Sequence, residues 1–164
     1  MIELYEGVPG SGKSYHAICE KFLPWVRQGR RLYISVDGIY LDRLALFTGI
    51  ELETLEQQIT IWKDSVEVLQ AFPHVEPGSA VIIDEAQTVF RSMQKVEPGL
   101  LRWLETHRHY GVDILLMSQD FRQMSQGVTR LIEATVKFRK LAFVGLSKKY
   151  QGKVRGNPED NEVI

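Results

Sequence analysis

GVPGSGKS, residues 7–14, stands directly behind the apolar stretch MIELYE and fits the spacing G-x-x-x-x-G-K-[ST], with Gly7, Gly12, Lys13 and Ser14 at the fixed positions. Glycines at such spacing let the backbone curl so that successive N–H groups point inward at phosphate oxygens. A helix starting at the end of the loop aims its partial positive charge at the same anion. Lys13 then neutralises β and γ oxygens, and the Ser14 hydroxyl is placed to bind Mg²⁺. The nucleotide contacts expected are Gly7, Val8, Pro9, Gly10, Ser11, Gly12, Lys13, Ser14 and the adjoining Tyr15. A glycine-rich turn without a ligand is the bland alternative, and the apolar strand before it and helical pattern after it argue against that.

IELYEG (2–7) reads as a buried strand, and Tyr15, Ile18, Cys19, Phe22 and Val26 fall at helical spacing. Pro24 must kink or break that helix, and Gly29 marks its stop. RLYISVDG (31–38) is a second strand. IYLDRLALFTG (39–49) and DSVEVLQAF (64–72) read as helices, the latter with Asp64 and Glu67 as a capping box. AVIIDEAQ (80–87) is a third strand, PGLLRWLETHRHYG (98–111) a helix ending at Gly111, and VDILLMSQ (112–119) a fourth strand. A helical VTRLIEAT (128–135) precedes a fifth strand, VKFRKLAFV (136–144). Strands alternating with helices give an α/β fold: a single domain over 1–164 with a mainly parallel five-stranded core sheet and helices on both faces. Ligands of such sheets bind beyond the carboxyl ends of the strands, where every candidate residue is expected to fall.

VIIDEAQ supplies the acidic half of the site. An Asp ending a buried strand, Asp84, holds the Mg²⁺ water shell, and Glu85 is positioned to polarise a water for attack on the γ-phosphate. A strand end made polar by solvent is the plain alternative. No N/T-K-x-D guanine reader occurs, so ATP is the expected nucleotide. Ser118 and Gln119 end the fourth strand beside the same pocket, where a polar side chain can sense the γ-phosphate. Arg102, Arg108, Arg122 and Arg130 are candidates for a cation acting across a subunit boundary, with Arg108 preferred. Two positions apart on a helix, His107 and His109 diverge by about 200° and cannot share a metal. Cys19 is expected in the core, and Trp25, Trp62 and Trp103 as core or half-buried residues.

Composition narrows the classes. A hydrophobic fraction of 44% and a net charge of −1 describe an ordinary globular domain with no bulk bias toward an anionic partner. The charge is uneven: residues 137–155 hold seven Lys/Arg and no acid, while the acidic side chains lie before and after them. One cysteine excludes an internal disulfide and fits a reducing cytoplasm. No apolar run approaches the roughly 18 residues that span a bilayer, so the chain reads as soluble.

Together, MIELYEGVPGSGKSYHA (1–17), VIIDEAQ (81–87) and HRHYGVDILLMSQD (107–120) resemble the N-terminal cytoplasmic domain of the zonular occludens toxin family. That family is similar to the assembly ATPase of filamentous bacteriophages and, more distantly, to hexameric DNA-pumping ATPases. The resemblance implies ATP and Mg²⁺ as ligands, with the residues matching 7–14 on the nucleotide and those matching Asp84 and Glu85 as the Walker B pair. It further implies self-association into a ring, phage assembly and export components as partners, and a place on the cytoplasmic face of the bacterial inner membrane. Members normally continue into a membrane helix and a further region, to which any toxin activity would belong. The basic run then approaches the membrane, with anionic lipid the favoured contact and single-stranded DNA the competing one. A small-molecule kinase and a nucleotide-binding scaffold with little hydrolysis remain open.

Overall fold

The computed structural model describes residues 1–140 and 150–156. The basic side chains Lys148 and Lys149 and the acidic end of the chain lie outside the described residues. Seven strands form one sheet in the order β3-β2-β4-β5-β1-β6-β7. They are β1 (Ile2–Glu6), β2 (Leu32–Ser35), β3 (Ile59–Ile61), β4 (Ala80–Ile83), β5 (Asp113–Ser118), β6 (Ala134–Lys140) and β7 (Tyr150–Arg155). The five expected strands form the parallel core β2-β4-β5-β1-β6. Two edge strands enlarge it: β3 pairs parallel with β2, and β7 returns antiparallel on β6.

Side chains alternate across this sheet, and each set meets its own layer of helices. Ile2, Leu4, Val81, Ile83, Ile114 and Leu116 face one core, closed by residues of α5 (Ser65–Ala71), α6 (Ala86–Val89), α7 (Pro98–Thr106) and α8 (Gln126–Thr129). Tyr5, Leu32, Ile34, Ala80, Ile82, Leu115 and Met117 face the other, closed by α1 (Lys13–Ala17), α2 (Leu23–Arg27), α3 (Leu41–Thr48) and α4 (Leu52–Gln58). Trp62 is buried, whereas Trp25 and Trp103 are half-buried, as expected. Cys19 is half-buried rather than in the core, and it is a free thiol.

Pro24 does not break the first helix. A π-helical turn over Ile18–Phe22 separates α1 from α2, and this widening accommodates the proline's ring and its missing N–H. The stops at Gly29 and Gly111 hold. Asp64 caps α5 by accepting from Val66 N and Glu67 N, both at 2.9 Å. The reciprocal bond is displaced by one residue, since the Glu67 carboxylate accepts from Lys63 N at 2.8 Å rather than from Asp64. The helix expected over 128–135 is confined to α8, because Ala134 and Thr135 are taken into β6, where they pair with Glu3 and Leu4 of β1.

The strand order positions the site. β1 carries the phosphate loop and β4 the acidic pair, and β5 lies between them. The end of β5, Ser118 and Gln119, therefore stands between loop and acids.

Candidate functional site

The loop after β1 has the curled form that its glycines allow. Gly10 and Gly12 have φ of 70° and 96°, and Gly12 immediately precedes α1. Gly7 is required for a different reason: a Cβ there would lie 2.6 Å from the Phe138 carbonyl oxygen of β6. The loop is tied down by Gly7 N donating to Ser118 O at 3.1 Å and Ser11 N to Val8 O at 3.2 Å.

Lys13 is drawn inward, away from solvent. It is 7% exposed, and its ammonium donates to the carbonyls of Gly7 and Val8. A buried ammonium has to find acceptors, and the curled loop offers its own carbonyl oxygens. Burial lowers the Lys13 pKa from its ordinary value, against the pull of the nearby Asp84 and Glu85 charges.

Asp84 follows the last residue of β4, and its N–H donates to Ser35 O at 2.8 Å. Its Oδ2 accepts from Ser14 Oγ at 3.4 Å, and its Oδ1 from Glu85 N at 2.8 Å. Burial raises the Asp84 pKa, with the Glu85 N–H and the Ser14 hydroxyl opposing that rise. Burial thus disfavours charge on both Lys13 and Asp84. A bound phosphate would reverse the first effect and a bound cation the second. A hydroxyl beside a carboxylate is a hard-oxygen pair of the kind Mg²⁺ takes, the remaining positions being filled by water and substrate phosphates.

Glu85 starts α6 in the left-handed region, at φ 49° and ψ 43°. Its carboxylate accepts from Gln119 Nε2 at 3.3 and 3.4 Å and from Gln87 Nε2. The structure thus joins Gln119 to Glu85. The buried Ser118 hydroxyl is instead taken up by Asp120 O, to which it donates at 3.2 Å.

Arg108 is not brought to this site. Its Nε donates to Glu133 Oε1 at 3.2 Å and its Nη2 to Oε2, and the same carboxylate accepts from Ile2 N at 3.1 Å. Ile2 opens β1, so Arg108 stands at the amino edge of the sheet, opposite the phosphate loop. The reason is topological: residues that lead into a parallel strand, as 107–111 lead into β5, reach its amino end. Arg122 does follow a carboxyl end, and its guanidinium is held by Asp120, with Nη2–Oδ2 at 2.7 Å.

His107 is a core residue. Its Nδ1 donates to Leu104 O at 2.6 Å, and the described residues contain no cluster of three His, Cys, Asp or Glu fit for a metal. Burial lowers its pKa. The unfolded chain therefore binds the proton first as pH falls, so stability is lost on descending from about 6.5 through the folded pKa. Over that window the stability should slope by up to about 1.4 kcal/mol per pH unit. Urea midpoints measured against pH should show this slope, and His107→Leu should flatten it.

Sequence reading missed two contributors. Gln87 would point away from Glu85 on a regular helix; only the left-handed turn at Glu85 folds it back, and no sequence pattern announces that. Buried Glu6 accepts from Phe121 N at 3.3 Å and pairs with Lys137 Nζ at 2.9 Å, joining the start of the loop to the segment after Gln119. Lys137 is accordingly an ion-paired residue.

A protein-family model described as "Zonular occludens toxin (Zot)" matches residues 1–162. The chain is 27% identical over 164 residues to the Gene 1 protein of Xanthomonas phage phiLf, covering 92% of this chain and 37% of that protein. It is 32% identical over 126 residues to the putative assembly protein ORF301 of Pseudomonas phage Pf3, covering 73% and 36%. It thus spans little more than a third of these relatives' length. Among solved structures, the genome packaging NTPase B204 from Sulfolobus turreted icosahedral virus 2, in complex with ATP-gammaS, superposes with a TM-score of 0.59 at 21% identity. That match covers 90% of this chain and 80% of the other, and it bears out the P-loop NTPase fold.

Proposed function

We propose that this chain, which belongs to the zonular occludens toxin family, is the ATP-hydrolysing domain of a machine that assembles and exports filamentous phage through the bacterial inner membrane. The observation that carries the ATPase reading is the convergence at one sheet edge. Ser14 of the loop meets Asp84, and the neighbouring Glu85 carboxylate is bonded to Gln119. ATP enters with its phosphates on the loop amides and Lys13 released from the loop carbonyls to the β and γ oxygens. Mg²⁺, held through Ser14 and Asp84, would neutralise charge that develops on the phosphates. Glu85 takes the proton of the attacking water, and Gln119 senses loss of the γ-phosphate through its bonds to Glu85.

The assembly role is supported by the name of the Pf3 relative, a putative assembly protein, and by the packaging NTPase that shares the fold. Ring formation and contact with phage components belong to the same proposal. In a ring, a neighbour's Arg108 would supply a trans cation only by giving up its pair with Glu133. Among the described residues no helix is long and apolar enough to cross a membrane. The basic run would instead meet anionic headgroups at the inner face, with Lys153 exposed on β7 as its described outer member.

The test is release of inorganic phosphate from Mg-ATP with no acceptor added. Turnover is expected. Transfer only to an added small molecule would make the protein a kinase, and tight binding without release would make it a scaffold.

A further inference from the structure

We propose that Gln87 is a positioning residue for Glu85, which together with Gln119 aims the carboxylate at the attacking water. The proposal rests on the ATPase reading above. It starts from the backbone, because Glu85 is the only non-glycine at positive φ among the described residues. On a regular helix, positions 85 and 87 would diverge by about 200°. The left-handed turn at 85 cancels that divergence and sets the two side chains beside each other.

The turn itself is immobilised from both sides. Glu85 N donates to Asp84 Oδ1 at 2.8 Å, and Glu85 O accepts from Thr88 N at 2.7 Å and Thr88 Oγ1 at 2.8 Å. What remains free is the side-chain torsion of Glu85. Two amides from different segments remove that freedom: Gln119, at the end of β5, reaches both oxygens, and Gln87, on α6, donates to Oε2. A carboxylate has about four lone-pair sites, so two donors fix its plane and still leave acceptor capacity for a water.

The other end of Gln87 argues for a role beyond stability. Its Oε1 is buried and has no hydrogen-bond partner among the described residues. An orphaned buried acceptor is a net cost to the fold, and an apolar side chain would avoid it. The donor end explains the choice of residue. An oxygen in place of that nitrogen would face the carboxylate directly and repel it.

The experiment uses the full chain and three variants: Gln87→Met, which keeps length and removes the donor; Gln87→Glu, which sets like charge against Glu85; and Gln87→Met combined with Glu85→Gln. Steady-state phosphate release and ATP affinity are measured for each. Gln87→Met should lower kcat about tenfold with KM and ATP affinity unchanged. Gln87→Glu should be slower still, and Gln87→Met should add nothing in the Glu85→Gln background, because its effect passes through that carboxylate. Wild-type turnover by Gln87→Met overturns the proposal. So does an equal loss with and without Glu85, or a loss matched by weakened ATP binding. If the wild-type protein releases no phosphate, the ATPase reading and the role of Gln87 fall together. An active wild type with an equally active Gln87→Met removes only the latter.

Discussion

Glu85→Gln should bind Mg-ATP as the wild type does and turn it over about 10² to 10⁴ times more slowly, the range lost with a general base. Glutamine keeps the length and shape of the side chain, so the left-handed turn and the bond from Glu85 N to Asp84 stay intact. What disappears is the charge that takes the water's proton and one of the two carboxylate oxygens that face Gln87 and Gln119. Asp84 and Ser14 are untouched, so the part of the site that would hold the cation remains. Single-turnover phosphate release, with affinity measured separately by a fluorescent ATP analogue, separates the two effects. A Glu85→Gln protein hydrolysing at the wild-type rate would assign the water to another residue.

Lys13→Ala should lose ATP affinity by about a hundredfold or more, the effect of deleting a largely buried charge partner, roughly 3 kcal/mol. The structure adds a consequence that the loop motif alone does not contain. Because the ammonium is bonded to the carbonyls of Gly7 and Val8, the alanine variant leaves those oxygens without that donor. A modest fall in melting temperature should accompany the loss of binding, while the circular dichroism of the folded sheet persists. Lys13→Met tests the same point with the side chain's apolar length retained. Unchanged affinity in both variants would remove Lys13 from phosphate recognition.

The central sheet was legible because its strands carry the strongest pattern available. VIIDEAQ and DILLMSQ are apolar runs that end abruptly in acid or amide, and a buried parallel strand ending at a ligand edge has that form. The added strands lack such a pattern. β3 is three residues long, too short for a periodicity, and β7, YQGKVR, is specified by its ladder with β6 rather than by burial. VTRLIEAT shows helical spacing at Val128, Leu131 and Ile132, yet the ladder with β1 claims Ala134 and Thr135. At the site, the phosphate loop, Asp84, Glu85 and Gln119 were readable from type and order. The inward turn of Lys13 was not, because its acceptors are backbone oxygens that no side-chain pattern encodes. Arg108 was misplaced by proximity in sequence to β5, since the segment entering a parallel strand and the segment leaving it lie at opposite edges.

The claim that nucleotide phosphates sit between the loop and the acidic pair is tested most directly by backbone amide chemical shifts recorded while Mg²⁺ and a non-hydrolysable ATP analogue are added. The account predicts the largest changes at residues 10–15, with secondary changes at Asp84, Glu85 and Gln119. They should vanish in Lys13→Ala at the same ligand concentration. Saturable shifts that leave residues 10–15 unmoved, or no shifts in the folded wild-type protein at millimolar analogue, would contradict it.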